Sequence, residues 1–263
     1  MKAIQIQSHG DLEVLRVKTL PDPDPGVDEL LVRIKASAIN PLDSIIRTGE
    51  FPIAKEPPLI LGEEAAGVVE RNGGRFRAGD RVIVYGGGWG VFRDGTWAEL
   101  VAAPASSLRR LPDEVSFEEG AALTNVGVTA YGALRTAGLK AHETLVVLGA
   151  TGGVGSAGVQ IGKAIGAHVI AVASTAGKAD RLQVMGADHV VALSDGPLAE
   201  QEHKLTDGKG EDRSAKDADE VIALAAQGKY RAVVDKTFPM SEVAEATRYL
   251  EGRKAVGKVV LTF

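Results

Sequence analysis

The sequence predicts an α/β protein with two parts: a β-rich region, and a shortened parallel sheet of the doubly wound kind. Three observations predict it. Short alternating strands and turns fill residues 1 to 120. A glycine-rich turn lies between two apolar runs in LVVLGATGGVGSAGVQIGKAIGAHVIAVAS, residues 145–174, and makes one βαβ unit. After Gly210, where a second βαβαβ half should open with another apolar strand, the chain reads EDRSAKDADE.

The elements follow in order. Ala3–Gln7 and Leu30–Ala36 are strands, and LLVRIKA alternates as a half-buried strand does. PDPDPG at Pro21–Gly26 is a proline-rich turn segment. Ala65–Glu70 and Arg81–Tyr85 are short strands joined through Asn72-Gly73-Gly74. Gly86-Gly87-Gly88 opens a loop that carries Trp89 and Phe92. Ser116 caps a helix, with Glu118 and Glu119 complementing its dipole and Glu119 completing a capping box. The parallel strands start near Leu145, His168 and His189. Leu198–Leu205 is a candidate short helix. Asp217 or Asp219 caps an apolar helix that stops at Gly228. Tyr230–Phe238 reads as a strand, Ser241–Glu251 as a helix capped by Ser241, and Lys258–Phe263 as the last strand.

Composition narrows the function. A chain of 263 residues is long enough for a sizeable core. With no cysteine there is no disulfide, no thiol nucleophile and no thiolate zinc site. A net charge of −5 argues against nucleic acid or an anionic membrane surface as partner. No apolar run approaches the ~20 residues of a membrane span. The N-terminal stretch alternates and carries charge, unlike a signal peptide, so a cytoplasmic protein is expected. His9, His142, His168, His189 and His203 sit at turns, strand starts or charged segments and read as surface residues.

The turn in the βαβ unit is the first candidate site. The G-x-G-x-x-G fingerprint of a Rossmann-type sheet is spelled by Ala150, Gly152 and Gly155, with Gly153 and Val154 between them. Ala150 is expected to form the tight turn, Gly152 to admit a pyrophosphate, and Gly155 to let the helix pack on the strand. A helix N-terminus there attracts the diphosphate of a dinucleotide. NAD sites carry an acid about 20 residues further on. Here the second strand ends in Ser174 and Thr175, followed by Lys178 and Arg181. Hydroxyls and cations suit a 2′-phosphate, so NADPH is expected over NADH.

As a set, MKAIQI, INPLD with R-x-G at Ile39–Gly49, LGEEAAGVV, GDRV, DGTWAEL, GVTAY, GATGGVG and RKAVGKVVLTF resemble the medium-chain dehydrogenase/reductase superfamily. More narrowly, they resemble its zinc-independent quinone oxidoreductase branch. The resemblance implies a GroES-like β-rich catalytic domain made from both chain ends, residues 1–122 and 217–263. A truncated dinucleotide-binding domain, residues 123–216, lies between them in sequence. About two βα units, at ~30 residues each, are missing. Zinc-dependent members carry cysteine where this chain has Asn40 and His-Glu where it has Glu63-Glu64. Two carboxylates without imidazole make a poor zinc site, so no metal is expected. Glu63 and Glu64 are themselves read as a solvated or helix-end pair.

The resemblance also implies roles. Asn40, Asp43 and Thr129 would stand at the catalytic site, with Asn125 and Thr129 lining the nicotinamide pocket. Arg47, Trp89 and Phe92 would face the acceptor, the two aromatics as a lid or as core cover. Asp43 and Arg47 also read as an internal ion pair. Ile46 stands where quinone reductases often carry an aromatic. The implied activity is hydride transfer from NADPH to a quinone, enone or other activated carbonyl. The alternatives are an enoyl-thioester reductase, differing only in acceptor, and a catalytically impaired nucleotide-binding pseudoenzyme. The strand at Leu145–Gly149 loses a neighbour through the deletion, so strand exchange or edge pairing between protomers is expected.

Overall fold

A computed structural model describes residues 1–195 and 218–263. The candidate helix at Leu198–Leu205 and the Asp217 cap lie outside them. The strands are β1 (Lys2–Ile6), β2 (Val17–Thr19), β3 (Glu29–Ile39), β4 (Leu59–Ile60), β5 (Ala65–Val69), β6 (Arg81–Val84), β7 (Leu100–Pro104), β8 (Leu108–Arg110), β9 (Thr144–Val147), β10 (His168–Ala173), β11 (His189–Ala192), β12 (Val234–Pro239) and β13 (Lys258–Thr262). The helices are α1 (Pro41–Thr48), α2 (Phe117–Thr136), α3 (Gly153–Ile165), α4 (Ala179–Val184), α5 (Ala218–Ala226) and α6 (Val243–Glu251).

The chain divides into two compact units, Met1–Asn125 with Val234–Phe263, and Val126–Val233. The first is β-rich. Its main sheet runs β12-β13-β3-β5-β6-β8, with β7 also pairing β3. A second sheet runs β2-β1-β4. The alternation seen in LLVRIKA gives way to four buried residues, Ala36 to Ile39, at the end of β3, which pairs β7 over Glu29 to Arg33, β13 over Ala36 to Ile39, and β5 over Val32 to Ser37. The apolar faces close over two cores. One holds Ile4, Ile6, Leu61 and Trp97; the other holds Val32, Phe76, Val82 and Trp89. Trp97 also donates its indole N–H to the Ala38 carbonyl at 3.1 Å, so its polar edge is satisfied.

Local signals explain most helix ends. Ser116 Oγ accepts the Glu119 N–H at 3.1 Å while Glu119 accepts the Ser116 N–H at 3.2 Å, the reciprocal capping box expected before α2. Ser241 does not cap α6. A 3-10 turn at Met240–Glu242 intervenes, and Glu242 occupies the cap position without a side-chain bond. β12 begins at Val234 rather than Tyr230, because the Tyr230 N–H closes α5 on the Leu224 carbonyl.

The second unit carries a parallel sheet in the order β11-β10-β9, three strands among the described residues. That order is the first half of a doubly wound sheet. In β10, Val169, Ala171 and Ala173 pack into one core with Val159 of α3, while Ile170 and Val172 pack with Val191 on the opposite face. Burial on both faces is why the run from Val169 to Ala173 is wholly apolar. The sequence boundary at residue 217 assigns α5 to the β-rich domain. In the structure α5 belongs to the second unit, because Val221 and Tyr230 pack so closely on Gly127 that a side chain there would overlap them. No described helix is long and apolar enough to cross a membrane.

Candidate functional site

Two sites can be built, one in each unit. In the second unit, the turn after β9 uses its glycines differently from the fingerprint reading. Gly149, not Ala150, makes the tight turn, with φ +61°, a backbone state that a side chain disfavours. Ala150 is fully buried and spends its N–H on the Val172 carbonyl of β10 at 3.0 Å. Gly152 occupies the N-cap of α3 and brings no capping side chain. The first intrahelical bond runs from Ser156 N–H to Gly152 O, so the N–H groups of Gly153, Val154 and Gly155 precede the helical ladder. A Cβ at Gly155 would lie 2.3 Å from the Gly149 carbonyl oxygen, so only glycine lets helix and turn meet. At the end of β10, Ser174 and Thr175 are exposed, Lys178 is half-buried and Arg181 is exposed. The stretch from Ala173 to Ala179 contains no carboxylate.

The first unit holds a buried polar cluster at the mouth of its main sheet. Glu64 is fully buried at the start of β5. Its Oε2 accepts the Thr124 hydroxyl and the Asn125 N–H, both at 2.7 Å. Its Oε1 takes a bond from Lys258 Nζ at 3.2 Å. Lys258 opens β13, is 4 % exposed, and donates as well to Asn40 Oδ1 and the Ile39 carbonyl. An ammonium only donates, so the amide atom facing it must be the oxygen. Asn40 Nδ2 therefore turns away, buried and without an acceptor. Truncating either member of such a buried pair typically costs about 3–5 kcal/mol, because the other charge is stranded.

Asp43 lies in the first turn of α1, beside this cluster. Its Oδ2 accepts the Asn40 N–H at 2.7 Å and its Oδ1 the Gly62 N–H at 3.0 Å. Burial, and then the Glu63 charge, push Asp43 up to about 8, against the pull of those two N–H groups and Lys258. Glu63 is raised as well, by burial first and the Glu64 charge second. Its Oε2 accepts Asn125 Nδ2 at 3.4 Å, whereas its buried Oε1 has no partner. Glu63 lines a cavity of about 180 Å³ together with Tyr85, Gly86, Gly88, Trp89, Val91 and Asn125. The Tyr85 phenol is pushed up by burial and by the Glu64 and Glu63 charges, so it keeps its proton.

Residues 26–113 match the alcohol dehydrogenase GroES-like domain and residues 130–261 the zinc-binding dehydrogenase family. The 2-methylene-furan-3-one reductase of Solanum lycopersicum is 30 % identical over 307 residues, covering 99 % of this chain and 79 % of that protein. This chain belongs to the medium-chain dehydrogenase/reductase superfamily. A quinone oxidoreductase of Pseudomonas aeruginosa is 36 % identical over 212 residues, and the match spans 79 % of this chain but 63 % of that protein. A solved NAD-dependent alcohol dehydrogenase superposes with a TM-score of 0.92 at 28 % identity, covering all of both chains. The superfamily is one of nicotinamide-dependent oxidoreductases.

Within this superfamily member, the expected site residues separate. Asn40, Asp43 and Asn125 join the buried cluster. Arg47 does not. Its guanidinium is 3 % exposed and binds the Gly10 carbonyl at 2.6 Å, Glu251 at 2.8 Å and Asp11 at 3.4 Å, tying the N-terminal loop to α6 rather than pairing with Asp43. Trp89 and Phe92 form no common lid. Trp89 is buried under the Arg93 guanidinium, 4.0 Å from its ring centroid, while Phe92 is 61 % exposed. Both border a larger surface cavity of about 410 Å³, and Trp89 also reaches the smaller one. Thr129 lies one turn beyond Asn125 on α2, exposed and in the second unit. Glu63 and Glu64 are not a solvated pair. Two acids inside the apolar run LGEEAAGVV, and Lys258 leading KVVLT, were the available signals.

Proposed function

We propose that this chain is an NADPH-dependent reductase that passes a hydride to a quinone, an enone or a similarly activated carbonyl compound without a metal. One observation carries the cofactor reading. Past β10 the chain offers hydroxyls and cations at Ser174, Thr175, Lys178 and Arg181 where an NAD site needs an acid. The turn fits a diphosphate. The leading N–H groups of Gly153, Val154 and Gly155 would hold it at the helix dipole, and Gly152 sets no side chain over it. When bound, the reduced nicotinamide supplies the hydride.

The zinc implied by one matched family does not fit these residues. The chain has no cysteine, Asn40 Oδ1 faces an ammonium, and both Asp43 oxygens accept backbone N–H groups. The names of the tomato and Pseudomonas relatives, an enone-type reductase and a quinone oxidoreductase, support the acceptor class. The NAD-dependent relative makes NADH the competing cofactor.

Calorimetric titration with both nucleotides decides between them. NADPH should bind more tightly, and Lys178→Ala should weaken NADPH by about tenfold, ~1.4 kcal/mol, with little change for NADH. Equal loss for both removes the phosphate assignment. Tight binding with no turnover over a panel of quinones and enones supports the pseudoenzyme instead. We propose as well that two copies pair along β9. That strand bonds only β10 among the described residues, and its neighbour Leu148 is 64 % exposed.

A further inference from the structure

His168 opens β10 and His189 opens β11. The two strands are parallel, with Ile170 opposite His189. Side chains alternate between the faces of a sheet, so His168, Ile170 and His189 share one face. Further along it, Ile170, Val172 and Val191 form an apolar cluster. The two imidazoles therefore begin an otherwise apolar face with nitrogen bases. They stand at the strand starts, whereas the glycine turn follows the end of β9.

The ring centres are 5.1 Å apart and the ring planes meet at 69°. Two imidazoles on one tetrahedral ion, with metal–nitrogen bonds of ~2.0–2.1 Å, hold their ring centres about 5 Å apart. An edge-to-face ring contact gives a similar spacing. A second observation favours the ion. His168 Nδ1 lies 3.5 Å from Asp188 Oδ2. That carboxylate is itself fixed, by Lys163 Nζ at 2.8 Å and 2.7 Å and by the Val169 N–H at 2.7 Å. A carboxylate beside one ring nitrogen favours the proton there and leaves the lone pair on the other, as in metal-binding histidines. His168 Nε2 is then the free base. The His168 side chain is 42 % exposed and His189 is exposed, so ions in solvent reach both rings. Among the described residues no three His, Asp or Glu side chains make a metal site. The two imidazoles are thus the protein's whole share, and water completes the coordination.

We propose that His168 and His189 chelate one borderline divalent transition-metal ion, with Asp188 as the positioning residue for His168. Neutral imidazole suits Zn²⁺, Ni²⁺ and Cu²⁺, and affinity should peak at Cu²⁺. Mg²⁺ takes oxygen ligands and should not bind here. The ion ties the start of β10 to the start of β11 and takes no part in hydride transfer. Because the folded sheet brings the two rings together, binding stabilises the folded unit.

Calorimetric titration of the untagged, nucleotide-free protein with Cu²⁺, Zn²⁺ and Mg²⁺ tests this, and neither nucleotide binding nor turnover enters the result. One equivalent of Cu²⁺ should bind, more tightly than Zn²⁺, and should raise Tm. Asp188→Asn should lower Cu²⁺ affinity by about 10–100-fold. His189→Gln, which removes a ligand at an exposed position, should lower it further. His142→Gln, a histidine just ahead of β9, should leave it unchanged. Nitrogen NMR of the imidazoles supplies a readout that a merely structural role would not move. Without metal, His168 should carry its proton on Nδ1, and Zn²⁺ should shift the His168 and His189 signals together. Unchanged affinity in His189→Gln overturns the proposal. So does loss of affinity in His142→Gln, a Zn²⁺ shift confined to one of the two rings, or Cu²⁺ binding no tighter than Mg²⁺. Unchanged affinity in Asp188→Asn removes the positioning role. If Asp188→Asn does not fold, the wild-type imidazole spectra and His189→Gln decide.

Discussion

β3, an alternating strand, and β9, an apolar run, both lie near the centre of their unit's sequence pattern, yet they end differently. β3 is bonded along both edges and its inward side chains are buried. β9 is bonded to β10 alone among the described residues, and Leu145, Val146 and Val147 are only partly covered. The contrast teaches that an apolar pattern states which faces a strand must bury and is silent on how many neighbours it keeps. The β-rich unit is complete around its central strand. The second unit places an apolar strand at the border of its sheet among the described residues.

The contrast is sharpest if the two units respond separately. Trp97→Ala empties the largest buried side chain of the first unit and should cost about 3–5 kcal/mol. Hydrogen exchange should show protection falling in β1, β3 and β4 and holding in β10; a uniform fall breaks the comparison. Gly155→Ala drives a methyl into the Gly149 carbonyl and should cost about 1–3 kcal/mol. Here the loss should map to β9 and α3, with NADPH affinity falling at least tenfold by calorimetry. Leu148→Lys places a charge beside the open edge and should change stability by no more than about 0.5 kcal/mol. Its readout is size-exclusion chromatography. A wild-type dimer that the variant turns into monomer supports edge pairing, and a wild-type monomer at high concentration removes it.

Much of the frame was legible in the residues because each signal was local. The alternation of LLVRIKA and the Ser116–Glu119 box are read within a few positions, and the βαβ unit within a span of ~30 residues. The glycine turn was legible in place but not in detail. Which of Gly149 and Ala150 takes the positive φ depends on the bond from Ala150 to β10, more than twenty residues on. The polar cluster was legible only in halves. Asn40, Asp43 and Asn125 stood in motifs, but Glu64 and Lys258 are 194 positions apart and read as ordinary charges until folding brings them to 3.2 Å. The Arg47 pairing failed for the same reason, since Glu251 lies 204 positions away.

Lys258 reaching back to Asn40 has one more consequence. The two stretches of the β-rich unit are joined by contacts of their own, and the sequence from Val126 to Val233 intervenes between them. The entropy of closing a loop grows only with the logarithm of its length, about 0.6 kcal/mol per doubling. A lineage can therefore trim or lengthen the intervening segment by dozens of residues and leave the joined stretches nearly undisturbed.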